Sequence, residues 1–189
     1  MEEATDCKET CLVWRARLPE AGKDPRAAVQ LAREANGRGE HMLALSVAQQ
    51  ALRQLSLVSD PREAAPLRQQ MALALARSGS TQEAMEILRD SVVASSEDAE
   101  TLGLMGRLHK DLADRAPTPS VAVHHRGQAL EFYARGFAAG RSPYCGINTA
   151  VLAALTGDMP TARRTAEQLL GLPPEEDRLW AAATLASAY

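Results

Sequence analysis

A glycine followed five positions later by an alanine occurs three times at telling intervals: Gly39 with Ala44, Gly79 with Ala84, and Gly157 with Ala162. The first two glycines are 40 residues apart and the next two 78, close to two such periods. Each glycine falls where one apolar-periodic run stops and another starts. Glycine is the residue that ends a helix in the left-handed conformation. The alanine falls where the second helix of such a hairpin crosses the first, and a larger side chain there would push the two apart. A helix hairpin recurring at a fixed spacing is the mark of an α-solenoid. The skipped unit falls at the break marked by Pro117 and Pro119, where the glycine is absent.

Helix punctuation fills in the rest. Asp24-Pro25, Asp60-Pro61 and Ser142-Pro143 each pair an N-cap residue with proline at the first helical position. Glu63 and Glu83 complete capping boxes, and Gly140 is a further helix stop. The pattern predicts ten helices, over roughly 5–18, 25–37, 40–57, 61–78, 81–95, 97–114, 120–139, 143–156, 159–170 and 175–189, and no strand. Aromatic residues are only 4% of the chain, which suits helices packed through small side chains and disfavours a β-sandwich. The fold class is all-α, four to five hairpins, with an N-terminal arm over 1–24 and a repeat domain over 25–189. The final helix, with Leu179, Trp180, Leu185 and Tyr189, reads as the first half of another hairpin. That ending predicts a fragment of a longer protein, with a second subunit packed on this helix as the alternative.

The hairpin pattern resembles the tetratricopeptide repeat (TPR). Around 61–94 the match includes Ala72, Leu75, Gly79, Ala84 and Leu88; around 143–174 it includes Ala150, Gly157, Ala162 and Pro174. The usual large aromatics of the first helix are missing, and the period exceeds the ~34 residues of a standard repeat. Two signatures sharpen the likeness: Leu102-Gly103-Leu104-Met105-Gly106-Arg107-Leu108-His109-Lys110-Asp111, and Tyr144-Cys145-Gly146-Ile147-Asn148-Thr149-Ala150. With them the chain is similar, over about 97–170, to the TPR-like, TRAF-binding domain in the central regulatory region of apoptosis signal-regulating kinases and to its bacterial relatives. In the kinases that resemblance implies a platform that holds partners and restrains or primes an attached catalytic domain; in the bacterial relatives it implies a sensor or adaptor in a defence-type system. It also implies a tyrosine where this chain has His109.

The candidate binding residues lie in and between these signatures. Arg107, Lys110, Asp111 and Asp114 share one helix face. They read either as a solvated charged strip or as a site where Arg107 and Lys110, joined by Arg126, bind an anionic group that a guanidinium fork can hold bidentately. Tyr144 would add a stacking surface. Asn148 interrupts an apolar run, so its amide needs a hydrogen bond across to a neighbouring helix or loop, or a ligand. Gly103, Gly106 and Gly146 inside helices point to close helix packing, as do Ala84 and Ala162, with ligand approach the alternative for Gly103 and Gly106.

No chemistry-bearing motif accompanies them. The chain lacks a phosphate-binding Gly-x4-Gly-Lys loop, His-Glu-x-x-His, Gly-x-Ser-x-Gly and Gly-x-Gly-x-x-Gly. Cys7 and Cys11 have no zinc-spaced companions, Cys145 would react only if exposed beside a cation, and His124 and His125 point to different faces, while His41 and His109 stand alone. No catalytic residue, metal or cofactor is expected. A net charge of −3 disfavours nucleic acid, and no apolar run reaches the ~20 residues of a membrane span. The expected protein is a cytoplasmic, non-catalytic scaffold for a protein partner, an attached effector or a second copy of itself. A sensor for a nucleotide-derived ligand is the alternative.

Overall fold

In a computed structural model, the structure describes residues 24–55, 61–94 and 97–172. Eight helices and no strand occur among them. They are α1 (Pro25–Gly37), α2 (His41–Leu55), α3 (Pro61–Arg77), α4 (Thr81–Ala94), α5 (Ala99–Asp114), α6 (Pro119–Gly140), α7 (Pro143–Leu155) and α8 (Met159–Leu170). All eight coincide with predicted helices to within two residues at either end. The outer two predicted helices lie outside the described residues, together with Cys7, Cys11, Asp60, Pro174, Trp180 and Tyr189. The fold is an all-α solenoid of helical hairpins. It divides into two compact units, one ending at Ala94 and the other starting at Ser95.

The three glycine turns are copies of one device. Gly39, Gly79 and Gly157 have φ of +83°, +92° and +85°. In each turn the glycine amide bonds the carbonyl three residues back, and the next residue's amide reaches five residues back: Glu40 to Ala35, Ser80 to Leu75, Asp158 to Ala153. That is the Schellman arrangement. The same three residues then start the following helix, because their carbonyls accept from Ala44, Ala84 and Ala162. The alanine of the repeat is therefore the first residue to close a turn of the second helix, and all three alanines are buried.

In the first unit, α1 and α3 pack against each other and against α2. The core is mostly alanine: Ala28, Ala32 and Ala35 of α1 meet Ala44, Ala48 and Ala51 of α2, with Leu31, Val47 and Leu67 between them. Each buried leucine side chain contributes about 1.5–3 kcal/mol. A buried polar knot fixes the register. Asn36 donates its amide to the Gln70 carbonyl at 2.9 Å, and the Arg77 guanidinium donates to the Asn36 carbonyl at 2.6 Å. His41 approaches Asn36 Oδ1 at 3.3 Å. One asparagine thus ties the α1–α2 turn to α3.

In the second unit, α5 and α6 form the most extensive pair, and α7 packs on α6 and α8. Asp98 caps α5 through the amides of Glu100 and Thr101, and Thr118 caps α6 in front of Pro119. Ser142 caps α7 and Asp158 caps α8, each before a proline in the first turn. α6 stops at Gly140 as expected, but Gly140 is not the left-handed residue of the turn. Arg141 is, with φ +53°. Gly140 is spent on packing instead, since a Cβ there would lie 2.9 Å from the Ala99 Cβ. Arg141 offsets the strain by laying its guanidinium 5.6 Å from the Phe137 ring centroid.

Two exposed glycines test these assignments, because neither has an atom within 4 Å of an added Cβ. Gly79→Ala should lower stability in denaturant titration by about 1–2 kcal/mol, because the left-handed backbone penalises a Cβ. Gly127→Ala, in the interior of α6, should raise it by about 0.5–1 kcal/mol.

Candidate functional site

The second unit is assembled around missing side chains. Gly106 faces the flat of Tyr133, and a Cβ there would sit 2.9 Å from the ring. Gly103 lies under Tyr144 and Cys145, Gly136 under Cys145 Sγ, and Gly146 against Leu169 and Phe137. Gly103, Gly106 and Gly146 thus lie at close helix contacts, and Ala84 and Ala162 are buried. Gly136 and Tyr133 were not anticipated. Their signal is positional: Ala99 with Gly140, and Gly106 with Tyr133, lie equally far from the middle of the α5–α6 hairpin. Antiparallel helices bring such pairs face to face.

This packing places two hydroxyls together inside the unit. Tyr133 Oη and Tyr144 Oη lie 3.2 Å apart, with the rings edge to face at 5.7 Å. Burial raises both phenol pKa values, although the Arg107 charge works in the opposite direction on each. Both tyrosines therefore stay neutral. Arg107 itself is half-exposed on α5 and pairs with Asp111 at 4.0 Å. Such an exposed pair contributes little stability.

The candidate residues fall into distinct places. Arg107 pairs with Asp111, and its charge acts on both Tyr133 and Tyr144, which groups these four residues electrostatically. Asn148 is buried one turn beyond Tyr144 on α7. Its amide donates at 2.9 Å to the Tyr144 carbonyl of its own helix, not across to a neighbour. That bond links Asn148 to the same group. Lys110 is half-exposed, one turn past Arg107 on α5, and Arg126 is exposed on the N-terminal half of α6. No contact joins Arg126 to the Arg107 group.

Two further expectations are resolved by burial. Cys145 is a buried thiol, and burial pushes its pKa up to about 11. The Ser142 hydrogen bond acts the other way, and Glu100 adds to the rise. It is not the exposed thiol beside a cation that reactivity would need. His109 does not stand alone. It is buried, stacks on Phe132 at 5.4 Å, and holds Nδ1 at 3.1 Å from His125 Nδ1. Burial and then the neighbouring His125 and His124 lower its pKa to about 4. Among the described residues no set of three His, Cys, Asp or Glu could hold a metal ion, and no helix is long and apolar enough to cross a membrane. A shallow apolar cavity of about 450 Å³ lies between α7 and α8, lined by Val151, Leu155, Ala162 and Ala166 among others.

Comparison with known proteins places this architecture. The family described as Tetratricopeptide Repeats-Sensor (TPR-S) matches residues 47–153. Among solved structures, TTC0263, a thermophilic TPR protein of Thermus thermophilus, superposes with a TM-score of 0.65 at 17% identity. That match covers 79% of this chain and 74% of TTC0263. A human IFIT1 dimer with PPP-AAAA superposes with a TM-score of 0.69 at 14% identity, over 86% of this chain and 36% of IFIT1. At such identities the likeness is one of fold. No curated protein matches the sequence.

The site yields two expected outcomes. Gly106→Ala should destabilise the protein by about 1–3 kcal/mol in denaturant titration, because the buried Tyr133 ring has no room to give. In a Cys7→Ser/Cys11→Ser background, Cys145 should react with a disulfide reagent about 100-fold more slowly than a free thiol, from its thiolate fraction alone. Unfolding should abolish the difference.

Proposed function

The chain belongs to the Tetratricopeptide Repeats-Sensor family, and from that premise we propose that it is a non-catalytic regulatory module that binds a protein partner or an attached effector domain in a signalling system. The α5 strip of Arg107 and Lys110 is the proposed contact. One observation carries the reading: Arg107 is half-exposed on α5 while its charge still acts on the packed Tyr133–Tyr144 pair, so a charged group is presented at the edge of a filled core. Tyr144 and Asn148 act in this reading as the support behind the strip, and Arg126 as a separate cation on α6. A partner with a carboxylate or phosphate would displace Asp111 from Arg107 and take two of the guanidinium N–H donors bidentately. The resemblance to the TRAF-binding domain of apoptosis signal-regulating kinases, and to its bacterial relatives, supports the same assignment and a place in a bacterial defence-type system.

The family's description as a sensor favours a second reading, in which the same cations bind a nucleotide-derived ligand. Tyr144 already spends its hydroxyl on Tyr133 and packs ring carbons Cδ1 and Cε1 over Gly103, so the ligand would be held through its phosphates more than by stacking.

The two readings separate in one experiment. The protein is offered an array of acidic and phosphorylated peptides, and separately a panel of nucleotides and cyclic oligonucleotides followed by melting temperature. Under the scaffold reading peptides bind and nucleotides leave the melting temperature unchanged. Arg107→Ala then weakens peptide binding by about tenfold, the equivalent of roughly 1.4 kcal/mol. Under the sensor reading a nucleotide at 100 times its Kd stabilises by about 2.7 kcal/mol, and Arg107→Ala abolishes the shift. Binding that is indifferent to Arg107 and Lys110 defeats both readings of this face.

A further inference from the structure

The α5–α6 pair contains a histidine cluster that this function does not use. His109 of α5 and His125 of α6 present Nδ1 atoms to each other at 3.1 Å, their rings tilted by 42°. Phe132 holds the His109 ring by stacking at 17°. His124 touches His125 edge-on, with centroids 5.3 Å apart. We propose that His109 and His125 form a two-histidine site for a borderline divalent transition ion such as Zn²⁺ or Co²⁺, bound between α5 and α6.

The geometry fits such an ion. With metal–nitrogen bonds of about 2.1 Å, nitrogens at this separation subtend about 95° at the metal. That angle lies between the octahedral and tetrahedral values. The alternative for the same spacing is a hydrogen bond, which requires one ring to carry its proton on Nδ1, the less populated tautomer of a neutral imidazole in water. A metal between the two Nδ1 atoms lets both rings keep the Nε2–H form. The donors are nitrogen only, which selects against Ca²⁺ and Mg²⁺, ions that want oxygen ligands. With two protein ligands the remaining positions belong to water or to an incoming ligand. The site is therefore an open one, unlike the closed four-ligand sites that hold structural zinc.

The test uses the full chain, stripped with chelator and titrated with ZnCl₂ and CoCl₂. Wild type and His124→Asn should bind one more ion per chain than His125→Asn. The difference spectrum with Co²⁺ should lack the thiolate charge-transfer band that Cys7, Cys11 or Cys145 would produce. His125 is half-buried, so His125→Asn should keep the fold; its circular dichroism checks this. A second readout does not depend on any variant. In two-bond ¹H–¹⁵N spectra of the wild-type histidine rings, saturating Zn²⁺ should move both His109 and His125 to the Nε2–H form. Equal ion uptake by wild type and His125→Asn, or one ring still protonated at Nδ1 under saturating Zn²⁺, would overturn the proposal and leave the pair as a hydrogen bond.

Discussion

How closely two helices can approach governs everything else in this molecule. The side chains at the crossings are alanine and glycine, so the helix axes close up and each interface gains from many small contacts. Ala28, Ala32, Ala44 and Ala48 are fully buried in the first unit. In the second, Gly103, Gly106, Gly136 and Gly146 are surfaces on which an aromatic ring or a thiol rests. Such an interface has little room for error in either direction. A methyl added at Gly106 meets Tyr133, and a shortened side chain at Tyr133 would leave a hole that glycine cannot fill.

Close approach has a consequence for polar groups, because it strands them from water. The fold answers with a few specific bonds. Asn36 is bonded by Gln70 and Arg77, Tyr133 and Tyr144 satisfy one another, Thr149 donates to the Cys145 carbonyl, and Asn148 donates to Tyr144. A buried donor or acceptor left without a partner costs about 1–3 kcal/mol, so the bonds that cross between helices, those of Asn36 and of Tyr133 with Tyr144, select one register among packings that alanine alone would tolerate. Specificity of assembly resides in the polar minority, and the apolar majority supplies the driving force.

This division explains what the sequence discloses. The glycine turns are legible because their signal is local: a left-handed residue, a start residue and an alanine, all within six positions. The caps at Asp24 and Ser142 are legible for the same reason. Arg141 is not, because its left-handed backbone follows from Gly140 being claimed by Ala99 on another helix. The pairing of His109 with His125, and of Gly106 with Tyr133, depends on the register of α5 against α6. The proline-rich connection between those helices carries no glycine turn to announce that register. Asn148 shows the reverse case. Its need for a hydrogen bond is evident from an apolar run, but the choice of Tyr144 on its own helix is a matter of geometry. Residues 107, 110 and 126 could be grouped by charge, yet only the fold shows that Arg107 joins the tyrosines while Arg126 stands apart.

The same logic bears on recognition. Asn148 is buried, Tyr144 is half-buried, and both are bonded, so a ligand that needed either as a direct contact would first have to break a bond that the packing has already secured. Arg107 and Lys110 carry no such penalty. Arg107 pairs with a half-exposed carboxylate at 4.0 Å, a weak ion pair. Packing that leaves no freedom in the core leaves the adaptable polar groups at its edge, and the proposed recognition strip is drawn from those.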